Sequence, residues 1–312
     1  MIINGLLYIL SFILIWFGAG LIVNSIDKYA KKLHISSFAV SFFILGFLTS
    51  TPEIAVGISS IIEKDPEIYV GNLIGGIIII FLFIIPILAI FGRGITLSHQ
   101  LSKRNLLLSL AVCAAPAFLI LDNKVTVFEG FLLIFFYIIL FYVIEKKKGI
   151  IENIESKFLH TDRDDLKYIV KIVIGIIIVF LTSRFIVDET MYFSKILNIS
   201  PFFISLIMLS LGTNLPELSV GIRSLYSGKK DIAFGDYIGS AAANTAIFGV
   251  LTVINKNDVT ITDHFFRRFI FIIAGLGLFY FFSRSKNNIS RLEGFILLLI
   301  YVLFLIVEFS FK

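Results

Sequence analysis

The sequence predicts an all-α integral membrane protein of ten transmembrane helices, arranged as two five-helix halves of opposite orientation. Three observations predict this fold. Apolar runs of about 20 residues, the length that spans a bilayer, recur along a chain that is 58% hydrophobic. Two stretches of the chain repeat each other at a constant offset of 164 residues. Lysine and arginine fall mainly in alternate loops between the apolar runs, which is typical of membrane proteins.

Each apolar run is assigned to one transmembrane helix. The predicted spans are 3–27, 35–62, 67–91, 104–121, 125–144, 167–193, 200–226, 231–254, 265–283 and 290–309. The polar stretch 145–166 is interpreted as a cytoplasmic linker between a first half, 1–144, and a second half, 167–312. Because each half has five spans, the second half enters the membrane from the opposite side, which makes the two halves an inverted repeat.

The basic residues predict the orientation. If the N-terminus is outside, 19 of the 27 lysines and arginines fall in cytoplasmic loops. The positive-inside rule therefore predicts a plasma-membrane protein with both termini outside and the linker inside. The isoelectric point near 9.1 is explained by this topology, and nucleic-acid binding is not expected. Residues before Lys28 contain no basic residue, which favours a retained first span over a signal peptide.

The repeated stretches are residues 49–75 and 213–239, which match without a gap and share 11 of 27 residues. Each contains a Pro-Glu pair inside an apolar run, Pro52-Glu53 in the first and Pro216-Glu217 in the second. Chance similarity between apolar sequences does not explain an ungapped match of this kind. Since a carboxylate at membrane depth is costly, we expect Glu53 and Glu217 to be functional.

The prolines and their polar neighbours predict a cation site. Proline disrupts the helix one turn before it, so the carbonyls of Leu45–Thr49 and Leu209–Thr213 are candidate ligands. Other candidates are Thr49, Ser50, Thr213, Asn214, Ser240, Asn244, Asn72 and Asp236. Carboxylates, hydroxyls and carbonyls bind hard cations such as Ca²⁺ and Na⁺, and the lack of nearby His or Cys argues against zinc or copper. For Asp236 a role in helix contact stays open.

Glycine pairs follow each Pro-Glu pair. Gly71 and Gly75 in the first repeat correspond to Gly235 and Gly239 in the second. Small residues four apart let membrane helices approach closely. We therefore expect these glycines to pack the third and eighth spans against the second and seventh.

At these residues the chain resembles the sodium/calcium exchanger superfamily of cation antiporters. That family carries two inverted alpha repeats, approximately Gly-Thr-Ser-x-Pro-Glu followed by Gly-Asn-x-x-Gly-Ser-Asn and a distal Asn or Asp. Residues 212–217 and 235–240 match this pattern, with Asn244 at the distal position. The resemblance implies the ten-helix fold, with alpha repeats at about 35–91 and 200–254, and covers essentially the whole chain.

The resemblance also implies the roles of the site residues. Glu53 and Glu217 would bind the transported cation from the two halves. Additional oxygens would come from Thr49, Ser50, Thr213, Asn214, Ser240 and Asn244. Members of the family exchange Ca²⁺ against Na⁺, K⁺ or H⁺.

The first repeat departs from the family pattern. Gly76 stands in place of Ser, Ile77 in place of Asn, and Ile80 in place of the distal polar residue. Leu48 also replaces the first glycine of the motif. The third span therefore loses most of its polar face, and we expect the site to bind fewer ions than is usual in the family.

We therefore expect a transporter and not an enzyme: a secondary antiporter that exchanges Ca²⁺ against Na⁺ or H⁺ by alternating access. No cofactor is expected, and the expected partners are membrane lipid and small inorganic cations, with a monomer as the simplest state. Three alternatives stay open. They are exchange of another cation against protons, an ion-binding sensor or leak without coupled exchange, and a structural scaffold.

Other polar residues receive structural interpretations. Arg184 and Asp188 are four residues apart on the sixth span, a spacing that predicts an ion pair. Glu129, Glu293 and Glu308 lie near span ends, where we expect their carboxylates to extend to the interface.

Overall fold

The computed structural model describes residues 2–32, 42–43, 46–92, 94–96, 101–148, 163–226, 230–261, 265–286 and 288–310. Within these ranges, nine helices are long and apolar enough to cross a membrane. The predicted second span lies partly outside the described residues, and its second part is the shorter apolar helix Thr51–Ile62. The all-helical membrane architecture predicted from the sequence is therefore confirmed.

The described residues of the first half form seven α-helices and two short strands. They are α1 (Ile2–Lys32), α2 (Gly46–Thr49), α3 (Thr51–Ile62), α4 (Glu67–Ile78), α5 (Ile85–Phe91), β1 (Ile95–Thr96), α6 (Lys103–Leu119), β2 (Lys124–Val125) and α7 (Val127–Lys148). A π-helical segment, Ile79–Ile84, joins α4 to α5, and a 3-10 turn, Ile120–Asp122, follows α6.

The second half repeats this order. Its elements are α8 (Arg163–Leu197), α9 (Pro201–Ile204), α10 (Ser210–Thr213), α11 (Leu215–Tyr226), α12 (Lys230–Asn255), β3 (Val259–Thr260), α13 (Phe266–Lys286), β4 (Asn288–Ile289) and α14 (Arg291–Ser310). A π-helical segment, Ser205–Leu209, joins α9 to α10. The predicted linker 145–166 is helical at both ends, because α7 continues to Lys148 and α8 begins at Arg163; residues 149–162 lie outside the described ranges.

The strands pair between the halves with the symmetry of the repeat. β1 pairs with β4, and Ile95 lies opposite Ile289. β2 pairs with β3, and Val125 lies opposite Val259. Adding 164 to each first-half position gives its counterpart in the second half, so each strand pair is the image of the other. The repeat thus extends far beyond the Pro-Glu stretches, and the two halves form one interlocked fold.

Two glutamates at helix starts act as caps. The Glu129 carboxylate accepts a hydrogen bond from the Thr126 backbone N–H at 2.7 Å, and the Thr126 hydroxyl accepts one from the Glu129 N–H at 3.3 Å. Glu293 and Ser290 form the same reciprocal pair at the start of α14. These are capping boxes, which satisfy the first amides of a helix. The sequence analysis placed both glutamates near span ends but did not identify this capping role.

Two ion pairs also differ from the expectations. Glu308 is buried and binds Arg268 of α13, with 2.8 Å between Oε2 and Nη2. The Arg268 guanidinium lies over the Phe202 ring, 5.0 Å from its centroid. Arg184 pairs at 3.0 Å with Glu63 at the end of α3, in place of its predicted partner Asp188. Sequence spacing favoured partners on the same helix, whereas the packed structure offers partners on neighbouring helices.

The glycine pairs form close helix crossings between the halves. A Cβ atom at Gly75 would collide with the Leu206 carbonyl oxygen, and a Cβ atom at Gly239 would collide with the Phe42 carbonyl oxygen. Leu206 and Phe42 are again repeat counterparts. The predicted helix-contact role of these glycines is confirmed, and each contact crosses from one half to the other.

Candidate cation-binding site

All residues predicted to form the site are buried, with exposed fractions of 1% or less. These residues are Glu53, Glu217, Thr49, Ser50, Thr213, Asn214, Ser240, Asn244, Asn72 and Asp236. They come from α2, α3 and the break between them, from α10, α11 and the break between them, and from the middle of α4 and the first 15 residues of α12. The fold therefore brings both repeats to one buried polar cluster.

The Pro-Glu pairs lie where two helices are interrupted. The break between α2 and α3 falls at Ser50, and Pro52 stands in the first turn of α3. The break between α10 and α11 falls at Asn214, and each glutamate is in the first turn of the helix that follows. Free amides and the helix dipole at this end favour negative charge. The break thus supplies a favourable place for a buried carboxylate.

Side-chain donors hydrogen-bond several of the carbonyls around the breaks. The Ser50 hydroxyl donates to the Gly46 carbonyl at 2.8 Å, and the Asn214 amide donates to the Ser210 carbonyl at 2.8 Å. The Thr51 hydroxyl donates at 2.7 Å to the Leu48 carbonyl, which lost its helical donor to Pro52. Because these carbonyls already have partners, side-chain oxygens are the stronger candidates for binding a cation.

Two threonines join the halves behind the glutamates. The Thr213 hydroxyl donates to the Asn72 side-chain oxygen at 3.1 Å. The Thr49 hydroxyl donates to Asp236 Oδ1 at 3.4 Å. These contacts are images of each other under the repeat offset. Asn72 and Asp236 therefore position the threonines, and each threonine lies beside the glutamate of the opposite half.

Each glutamate accepts a hydrogen bond from a neutral side chain, and this donor differs between the two halves. The Ser240 hydroxyl donates to Glu217 Oε1 at 2.8 Å, and the Ser50 hydroxyl lies 3.1 Å from the Ser240 hydroxyl. The Asn214 amide nitrogen donates to Glu53 Oε1 at 3.2 Å. The two carboxyls are close enough to interact electrostatically. Their mutual repulsion makes a bound cation the natural way to stabilise the pair.

Several buried atoms of the cluster have no hydrogen-bond partner among the described residues. They are Glu53 Oε2, Glu217 Oε2, Asn214 Oδ1, Asp236 Oδ2, Asn72 Nδ2 and both side-chain atoms of Asn244. Buried polar atoms are normally paired, so such a concentration requires an explanation, and a bound ion is one. The unpaired oxygens are of the kinds that hard cations accept.

Gly76 lies against this cluster. A Cβ atom at Gly76 would lie 3.1 Å from Asn244 Nδ2 and 3.3 Å from Asn214 Nδ2. The position that the sequence analysis identified as a departure is thus occupied by amide groups from the second half. The repeat offset could have predicted this contact. The repeat counterparts of Ser50 and Ser240 are Asn214 and Gly76, so a contact in one pair implies a contact in the other.

Within the described part of the chain, no group of three or more His, Cys, Asp and Glu side chains is arranged to hold a metal ion. The carboxyl groups of the cluster are those of Glu53, Glu217 and Asp236, and its other polar side chains are hydroxyls and amides.

The sequence profile of the sodium/calcium exchanger proteins matches residues 3–144 and 167–310. The chain belongs to this family. Among the relatives of this exchanger-family protein is the sodium/calcium exchanger MaX1 of Methanosarcina acetivorans, which is 25% identical, with 98% of this chain and 99% of the relative aligned. The putative antiporter CaxA of Alkalimonas amylolytica is 24% identical, with 97% of each chain aligned.

Solved structures show the same fold. The sodium-calcium exchanger NCX_Mj, soaked with Na⁺ and Sr²⁺, superimposes on this exchanger-family protein with a TM-score of 0.70. The superposition covers 97% of both chains at 22% sequence identity. The two-repeat, helical membrane fold predicted from the sequence is therefore confirmed over essentially the whole chain.

Proposed function

We propose that this protein is a secondary antiporter that exchanges Ca²⁺ against Na⁺ or H⁺ across the plasma membrane by alternating access. One observation carries the proposal. Glu53 and Glu217, from opposite halves, are fully buried near each other, and each has one carboxylate oxygen without a hydrogen-bond partner among the described residues. Membership of the sodium/calcium exchanger family and the names of the relatives support it.

The coupling follows from competition for these charges. Two carboxylates can be neutralised by one divalent cation, by two monovalent cations or by two protons. Two buried carboxylates without a bound cation or proton are energetically costly. The protein therefore changes between its outward-facing and inward-facing states readily only when both carboxylates are neutralised. Thr49, Ser50, Thr213, Asn214, Ser240 and Asn244 supply the surrounding groups, and Asn72 and Asp236 position the threonines.

The membrane orientation and the oligomeric state of the protein are part of the same proposal. We place both termini outside and the linker 145–166 inside, between the halves 1–144 and 167–312, and we take the transporting unit to be a monomer. The single cysteine, Cys113, makes the orientation testable. In a Cys113→Ala background, Lys157→Cys should react with an impermeant thiol reagent only after the membrane is opened.

The test of the function is calcium flux into proteoliposomes. Uptake should require an opposing Na⁺ or H⁺ gradient, and Glu53→Gln and Glu217→Gln should each reduce it at least about 100-fold, since even outer partners of a bound ion contribute 10- to 100-fold. Glu129→Gln is the matched control, because glutamine keeps a side-chain acceptor for the capping box. Uptake that needs no counter-ion gradient, or that survives in both site variants, would overturn the proposal.

A further inference from the structure

The two halves of the site differ at one pair of contacting positions. In the second half, position 240 is serine and contacts Ser50 of the first half. The repeat counterparts of these residues are Gly76 and Asn214. A contact between two serines on one side of the cluster is therefore replaced, on the other side, by a contact between an asparagine and a glycine.

The serine side keeps oxygen available for a cation. The Ser240 hydroxyl gives its hydrogen to Glu217, and a hydroxyl that donates still has lone pairs to offer. Its neighbour Ser50 gives its hydrogen to the Gly46 carbonyl at 2.8 Å. Both oxygens can therefore join Glu217 in binding a monovalent ion on this flank of the carboxylate pair.

The asparagine side presents nitrogen beside the carboxylate. Asn214 Nδ2 donates to Glu53 Oε1 at 3.2 Å and to the Ser210 carbonyl at 2.8 Å. A carbonyl cannot donate, so exchanging the amide oxygen and nitrogen would place two oxygens together. The orientation of the amide is thus set by its partners. The N–H group fills the space that a side chain at Gly76 would use and repels a cation there, while the unpaired Asn214 Oδ1 lies farther away, 3.9 Å from a Cβ atom at Gly76.

We propose that Asn214, accommodated by Gly76, closes one of two symmetry-related flanking cation positions, so that the site carries either one divalent or two monovalent ions and exchange moves no net charge. The inference rests on the proposed antiport function. Two positions remain: one between the carboxylates and one on the flank of Ser240. Two monovalent ions neutralise Glu53 and Glu217, as one Ca²⁺ does.

Asp236 does not add a third transported charge in this account. Its Oδ1 accepts the Thr49 hydroxyl at 3.4 Å, and the neutral Asn72 accepts the Thr213 hydroxyl in the same way in the other half. Accepting the hydrogen bond from the threonine therefore requires no charge on the Asp236 side chain. Asp236 lies close enough to Glu217 to interact with it electrostatically, but no group of three acidic side chains among the described residues is arranged to hold a metal ion.

The test is the response of calcium exchange to membrane potential in proteoliposomes of the full chain. The potential is set with a potassium gradient and valinomycin, and calcium accumulation against a fixed Na⁺ or H⁺ gradient is measured. For each net charge moved per cycle, a change of about 100 mV shifts the accumulation ratio about 50-fold. We expect no shift in the wild-type protein, and a shift of this size would overturn the proposal.

Variants connect this result to Asn214. The double substitution Asn214→Ser with Gly76→Ser recreates the serine pair of the other flank, and it should make accumulation depend on potential. Gly277→Ser is the matched control, since a Cβ atom there meets nothing within 4 Å, and it should stay insensitive to potential. A folded double variant that exchanges calcium without sensitivity to potential would show that Asn214 is not the cause.

The experiment separates this inference from the proposed function. If no flux depends on Glu53, Glu217 and a counter-ion gradient, the antiport proposal itself fails. If such flux exists but responds to potential, antiport stands and the closure of one flank by Asn214 is wrong.

Discussion

The two halves of the molecule share a backbone plan and differ in what they place around their glutamates. Strand pairs, capping boxes, helix breaks and glycine crossings recur at the same offset of 164 residues. The donors differ: Glu217 accepts a hydrogen bond from a hydroxyl group, whereas Glu53 accepts one from a side-chain amide. Architecture is thus preserved where both halves must interlock, while the chemistry of the site has diverged.

The third and eighth spans show the same divergence in their backbones. The eighth span, α12, is α-helical from Lys230 to Asn255. The third span changes to π-helix at Ile79–Ile84, which begins three residues after Gly76 and includes the apolar position Ile80. Such segments often lie at functional sites. The half that lost polar side chains has therefore also lost the regular helix that its counterpart keeps.

The largest expected effect concerns an ion pair found in the second half. The counterparts of Arg268 and Glu308 are Arg104, which is exposed, and the apolar Ile144. Breaking a buried pair by removing one partner costs about 3–5 kcal/mol. Arg268→Met should lower the free energy of unfolding in detergent by that amount, Arg268→Met with Glu308→Leu should recover most of it, and Arg104→Met should change little. Equal losses in Arg268→Met and Arg104→Met would contradict the comparison.

Next in size is the effect of the two glutamate donors. Ser240→Ala and Asn214→Ala each remove a hydrogen bond to a site carboxylate, and groups in such positions affect ion affinity about 10- to 100-fold. Both variants should therefore need about 10- to 100-fold more calcium for half-maximal exchange. Ser109→Ala is the control, because Ser109 is equally buried and its hydroxyl donates to the Asn105 carbonyl of its own helix. A normal calcium response in both site variants would show that these two donors do not contribute to calcium affinity.

The glycine crossings should respond equally in the two halves. Gly75→Ala and Gly239→Ala each force a methyl group against backbone of the opposite half, and overpacking of this kind costs about 1–3 kcal/mol. Unfolding measurements should give similar losses for the two variants and none for Gly277→Ala. A large difference between Gly75 and Gly239 would mean that the crossings are not equivalent.

The smallest effect belongs to the capping boxes. Glu129→Ala and Glu293→Ala should each lower the free energy of unfolding by about 1 kcal/mol, the usual contribution of a helix cap. Glutamine at either position should be nearly neutral, because it still accepts the hydrogen bond. If alanine lowered the free energy of unfolding at only one of the two positions, the two capping boxes would not be equivalent.

Much of the fold and the members of the site could be predicted from the sequence, because a repeat at constant offset reports symmetry directly. The spans follow from apolar length, and Glu53 and Glu217 follow from the cost of a buried carboxylate. The strand pairs and capping boxes were missed although the offset continues to them. Following it from residue 126 to residue 290 would have predicted both caps.

Other features depend on packing between distant segments, which sequence spacing does not report. Glu308 lies near a span end in the sequence, yet Arg268 of the neighbouring helix pairs with it. Gly76 was identified as a missing side chain, but only the folded structure shows that Asn214 occupies the space. The partner of Arg184 likewise lies 121 residues away in the chain, at Glu63.

The most direct test of the central claim, that one cation is held between carboxylates of the two halves, is equilibrium binding of radioactive calcium to the purified protein. The account predicts one Ca²⁺ bound per wild-type chain. It also predicts that Glu53→Gln and Glu217→Gln each abolish that binding, since neither half holds the ion alone. Binding at near wild-type affinity in either single variant, with the protein still folded, would contradict it.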